Sequence, residues 1–220
     1  MLAPRQFSMR ETKAFTLIAL AFVILILVLL VLLFILELKR WKREAAGETC
    51  RQNLKLVGLA YRTWNTGSSD EYPQQVEVKL GGSKEDLIAG RLFLHFRTMS
   101  NELSTPKILV CPADKQKLVA QSFGEGFSNT NVSYFASLNA SESYPQTFLS
   151  GDRNLSLPDR PVASGILVLT TNSPLRWTKA IHDSCGNVGL GDGSVQMFDQ
   201  KKLAVGVLNQ AMETNRLVLP

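Results

Sequence analysis

Residues 14–36 read AFTLIALAFVILILVLLVLLFIL, and the use made of these 23 residues decides the fold. Thr16 is the only polar side chain among them, and no charge, glycine or proline interrupts the run. An α-helix rises about 1.5 Å per residue, so the run can cross a hydrocarbon layer of about 30 Å. A secretory signal peptide would show an apolar core of about 7 to 15 residues and a small-x-small cleavage site behind it. Here the run exits instead into FILELKRWKRE, residues 34–44, where Trp41 and the cations around it have the pattern of a headgroup-level belt. The reading is a retained transmembrane helix over residues 15–36.

The rest of the 220-residue chain leaves room for about one ordinary domain. The formal charge is +5, but the basic residues crowd just behind the apolar run at Lys39, Arg40, Lys42, Arg43 and Arg51. Phospholipid headgroups would sit there, and no basic and aromatic surface recurs elsewhere, so membrane lipid is the expected partner and nucleic acid is not. Arg5, Arg10 and Lys13 precede the run. Counted alone, the cations favour a cytoplasmic C-terminal side. The cysteines point the other way, because Cys50 and Cys111 could be stapled by a disulfide in an oxidising compartment; two buried free thiols are the alternative. Cys185 is left over, and none of the three has the C-x-x-C spacing of a zinc site.

Beyond the span, Cys50, Leu54, Val57, Tyr61 and Trp64 recur at steps of three and four, with Arg51, Lys55 and Arg62 between them. Residues 37–66 are therefore expected to continue the same helix in amphipathic form, until NTGSSDEYP stops it. Residues 67–220 are expected to form a globular α+β head. VEVKL, residues 76–80, alternates like a strand, and Ser83 with Asp86 suggests a capping box opening a second helix through residues 81–100 that carries His95. Further strands are expected at Ile108–Cys111, Val132–Ala136 and Gly165–Thr170. GNVGL and SVQMF flank Gly191-Asp192-Gly193 as a hairpin whose glycines supply positive φ, and Gln200–Asn215 is expected to be a terminal helix.

The sequence KAFTLI, residues 13–18, resembles the prepilin signature of type IV pilins and type II secretion pseudopilins, in which a basic residue and glycine precede Phe-Thr-Leu-Ile-Glu. CRQNLKLVGLAYRTW, LVCPAD, SYFASLNASESYPQTFLSGDRN and HDSCGNVGLGDGSVQ resemble later segments of a bacterial pseudopilin-like family. The last of these carries its His-x9-Asp-Gly motif as His182, Asp192 and Gly193. The resemblance implies a leader over residues 1–14, processing by a prepilin peptidase at Lys13, Ala14 and Phe15, and methylation of Phe15. It implies assembly through the membrane helix beginning Thr16, Leu17, Ile18 and Ala19. The implied fold is a long spine helix packed on a small antiparallel sheet, and the implied partners are other pseudopilin subunits. The implied location is the bacterial cytoplasmic membrane, single-pass, with the head in the periplasm or outside. Ala14 stands where the family has glycine and Ala19 where it has glutamate. A non-polymerising, membrane-anchored binding protein is the competing expectation.

No enzyme is expected, since a general base or zinc ligand needs partners and the only other histidine, His95, falls on an expected amphipathic helix. Asp192 is expected to shape its hairpin, with His182 hydrogen-bonding beside it. No metal or other cofactor is expected beyond calcium. For calcium the resemblance offers Asp183, Asp192 and Asp199, whose spacing is not that of an EF-hand. SGDRN and LPDRP each set an aspartate beside an arginine, and a local ion pair or turn is expected at both.

Overall fold

A computed structural model describes residues 10–67, 71–210 and 214–220, with side chains from residue 17 onward. The expected leader over residues 1–14 lies largely outside the described residues, as do the side chains of Lys13, Ala14, Phe15 and Thr16. The architecture is α+β: a long N-terminal helix with an apolar first part, and a head built on an antiparallel sheet. The helix, α1, runs from Arg10 to Thr66. The chain divides into two compact units after Glu44.

In the first unit, every large apolar side chain from Leu17 to Leu36 is exposed. The helix is long and apolar enough there to cross a membrane. In the second unit, α1 buries Cys50, Leu54, Val57, Ala60 and Tyr61 while Gln52, Lys55 and Arg62 stay exposed. That stripe follows from the 3.6-residue period, and each fully buried large side chain contributes roughly 1.5–3 kcal/mol.

The head's main sheet takes β1 (Tyr134–Ser137), β2 (Phe148–Asp152), β5 (Gly165–Thr170), β7 (Gly186–Leu190), β8 (Val195–Phe198) and β9 (Thr214–Leu219). Their spatial order is β5-β9-β1-β2-β7-β8, with every neighbour antiparallel. A smaller sheet orders β4 (Arg160–Pro161), β3 (Leu155–Leu157) and β6 (Arg176–Trp177). Apolar side chains cover both faces of the main sheet. Val57, Ala60 and Tyr61 of α1 share a core with Ala136, Leu149 and Val218. Leu203 and Val207 of α5 (Gln200–Leu208) share another with Phe135, Phe148, Leu217 and Leu219. Central strands covered on both faces lose the apolar/polar alternation of a half-exposed sheet.

Several local expectations need correction. VEVKL holds a 3-10 turn at Val78–Leu80, ended by Gly81 at φ +90°. A Cβ on Gly82 would lie 2.1 Å from the Val76 carbonyl oxygen, so the chain folds back on itself too tightly for a strand. The expected second helix is broken into α2 (Lys84–Ile88), α3 (Leu92–Thr98) and α4 (Ser100–Leu103), the first break following Gly90 at φ +73°. Ser83 makes no capping bond with its side chain and instead bonds His95 Nδ1 at 2.7 Å. Pro106–Leu109 forms a 3-10 turn capped by Thr105 where a strand was expected, because proline at the first position presets its φ. α5 stops at Leu208, and β9 then enters the sheet between β5 and β1.

Candidate functional site

Four chemically capable side chains converge in the second unit. Cys50 comes from α1, Cys111 from the turn after Leu109, Asp152 from the end of β2, and His182 from the loop between β6 and β7. Asp152 is brought there by register: it lies opposite Tyr134 on β1, and so shares the sheet face that α1 covers. A register shift between Phe148 and Ser150 accompanies this placement. His182, Asp183 and Ser184 all have positive φ, at 51°, 49° and 68°. Such a left-handed run of non-glycine residues costs energy and persists only where its surroundings hold it. Asn154 is part of that hold: its Nδ2 reaches the carbonyls of Thr178, Ile181 and Cys185 within 3.1 Å.

The four donor atoms all lie within 4.8 Å of one another. Cys50 Sγ is 3.1 Å from Asp152 Oδ1, Cys111 Sγ is 3.2 Å from His182 Nε2, and His182 Nε2 is 3.5 Å from Asp152 Oδ2. Cys50, Cys111 and Asp152 are fully buried, and the His182 side chain is 6% exposed. The Asp152 carboxylate accepts hydrogen bonds from Asn187 N at 2.6 Å and Asn187 Nδ2 at 3.2 Å. The Tyr134 hydroxyl lies 3.5 Å from Cys50 Sγ.

Burial governs the electrostatics. It raises the Asp152 carboxyl to about 6, against the His182 charge and the Asn187 donor, and it pushes the Cys50 thiol far up. Hydrogen bonding from Cys50 lowers Cys111 to about 5 against burial, helped by His182 and by the Ala113 backbone N–H. Burial opposes charge on His182, but Cys111 and Asp152 outweigh it and raise its pKa. One sulfur is thus set up to carry negative charge beside a cation.

A Cys–His pair also suits nucleophilic catalysis. Here, however, Cys111 is fully buried, and Asp152 shares the Nε2 side of the imidazole with the thiol instead of orienting the ring from Nδ1. The donor set and its closure suit a bound cation better than an incoming substrate.

The sequence-predicted residues fall as follows. Cys50 and Cys111 are brought together, and both are free thiols in the structure, so the considered disulfide is not formed there. His182 is placed against Cys111 and Asp152, which corrects its expected position beside the hairpin. Asp192 does shape that hairpin, its Oδ1 accepting from Ser194 N at 2.8 Å, and Gly193 supplies φ +80°. Gly191 serves differently, since a Cβ there would lie 2.4 Å from the Tyr144 carbonyl oxygen. Asp199 caps α5 by accepting from Lys202 N, and Asp183 lies in the left-handed loop. Among the described residues, the group able to share an ion is Cys50, Cys111, Asp152 and His182, not the three aspartates offered for calcium.

Asp152 itself is not among the site residues expected from sequence, where it figures with Arg153 only in a local ion pair or turn. Arg153 instead forms a two-pronged ion pair with Asp114, at 2.7 and 2.8 Å. Consecutive residues at a strand end point to opposite sides, so adjacent opposite charges there have separate partners. Of the residues Thr16 to Ala19 in the apolar run, Leu17, Ile18 and Ala19 are exposed. Compared with protein-family models, with curated proteins and with solved structures, the chain matches none.

Proposed function

We propose that this chain is a non-enzymatic, single-span membrane protein of the pilin-like, pseudopilin type, held in a bacterial cytoplasmic membrane with its head outside. It acts by assembly: the apolar helix beginning at Phe15 packs against the same helix of neighbouring subunits in a type II secretion or type IV pilus-like filament. The observation that carries this reading is the run Leu17–Leu36, whose large apolar side chains are all exposed. In water such a surface is untenable, and both a bilayer and a bundle of like helices would cover it. The KAFTLI resemblance selects the bundle, with Lys13, Ala14 and Phe15 as the processing site.

Co-expression with a prepilin peptidase, followed by N-terminal sequencing, tests the reading. The expected product begins at Phe15 and is N-methylated, and cysteine pairs placed along the span should crosslink between subunits. An intact N-terminus in the presence of active peptidase, with no crosslinks, would instead leave a membrane-anchored head that does not polymerise.

A further inference from the structure

We propose that Cys50, Cys111, Asp152 and His182 bind one zinc ion in a closed tetrahedral site that fastens the second unit's part of α1 to the main sheet. Four ligands of the right kinds are present, two thiols, one imidazole and one carboxylate, which suits zinc's borderline-soft character. Zinc–sulfur bonds near 2.3 Å and zinc–nitrogen or zinc–oxygen bonds near 2.0–2.1 Å imply tetrahedral edges of about 3.3–3.8 Å. The contacts of 3.1 and 3.2 Å lie just below that range and that of 3.5 Å lies within it, and no two of the four donors are more than 4.8 Å apart, so small side-chain adjustments admit the ion.

The surroundings supply what such a site needs. Asn187 fixes the Asp152 carboxylate through Oδ2, donating to it from both its backbone and its side-chain nitrogen. Ligands oriented by outer hydrogen bonds in this way hold a metal more tightly. The cationic side chain next in sequence, Arg153, is committed to Asp114, so among the described residues the charge facing Asp152 is that of His182. A buried carboxylate and two thiols in such a place gain greatly from a divalent cation. On binding, Cys50 loses its thiol proton and His182 its second ring proton to solvent, so both sulfurs coordinate as thiolates and His182 through neutral Nε2. All four positions are filled by protein, which makes the role structural and not catalytic. The ligands come from four separate segments, with Cys50 and Asp152 102 residues apart, so the ion would cross-link the head.

The test uses the full chain purified in detergent from cells grown with zinc. Elemental analysis should find about one zinc per chain, and replacement by cobalt(II) should give the intense visible bands of tetrahedral thiolate coordination. Cys111→Ser and Asp152→Asn should each reduce bound zinc to under about a tenth at equal protein, whereas Cys185→Ser should retain it. Chelation should lower the melting temperature, and added zinc should restore it. A chain that contains no zinc and develops no cobalt bands overturns the proposal, whatever the variants do. So does a Cys50–Cys111 disulfide found by non-reducing peptide mapping of the membrane-extracted protein.

Discussion

At the scale of single residues, the head contains two histidines with opposite electrostatic roles. His182 faces a carboxylate and a thiol, and its pKa is raised. His95 is fully buried among Tyr61, Ser83 and Phe96, and burial drives its pKa down to about 3. A neutral imidazole has one donor and one acceptor nitrogen, and the Tyr61 and Ser83 hydroxyls match both. The folded pKa lies below the unfolded value near 6.5, so the unfolded chain takes up a proton over that interval that the folded chain does not. Stability present at neutral pH is therefore lost as pH falls from about 6.5 toward about 3, with a slope of up to about 1.4 kcal/mol per pH unit from this group. Urea unfolding of wild type and His95→Gln should show a stability gap that shrinks between pH 7 and pH 4.5. Parallel pH profiles for the two proteins would sink this account.

At the scale of elements, α5 rests on the sheet through a glycine. A Cβ at Gly206 would lie 2.6 Å from Phe198 Cε2 and 3.0 Å from two ring atoms of Phe148. Helix propensity favours alanine over glycine by about 1 kcal/mol, whereas forcing a methyl into a packed core costs about 1–3 kcal/mol. Phe148 is fully buried and Phe198 nearly so, and they pack edge to face, so displacing either ring disturbs the other. Packing should win, and Gly206→Ala should destabilise the head by about 1 kcal/mol or more in chemical denaturation. A gain in stability would mean that the sheet under α5 relaxes freely. The same element shows where periodicity misleads: α5 was expected to run to Asn215, yet the residues behind it form a central strand. In TNRLVL, Thr214 and Arg216 are exposed while Asn215, Leu217, Val218 and Leu219 are buried, and so short a pattern does not by itself separate a strand from a helix end.

At the scale of the molecule, the first unit's helix is long and apolar enough to cross a membrane, and insertion is the expected outcome. Some 20 residues at about −0.3 to −0.6 kcal/mol each favour insertion by roughly 10 kcal/mol, and each central arginine opposes it by about 2.5–3.5 kcal/mol. Replacing Leu25, Leu27 and Leu29 together by arginine should bring insertion close to balance. A substantial fraction of the chain should then leave the carbonate-resistant membrane pellet, where wild type should be found entirely. Unchanged fractionation would show that something other than this helix holds the chain.

What the sequence determined by itself is what contiguous residues encode. The long apolar helix follows from 23 residues with one polar side chain, the buried stripe Cys50–Leu54–Val57–Tyr61 from its helical period, and the Asp192–Gly193 turn from the chemistry of its own residues. Each of these is written in the residue types of one contiguous stretch, so local pattern is enough to read it. The four-donor cluster was decided only by tertiary structure. His182 and Cys111 are 71 residues apart, and Asp152 reaches them because sheet register sets it opposite Tyr134 on the face that α1 covers. No spacing rule could announce that convergence, since strand pairing and the left-handed turn at His182–Ser184 are set by long-range packing. The place of β9 between β5 and β1 has the same origin: a strand's neighbours depend on which chain segments bury one another, not on its own six residues.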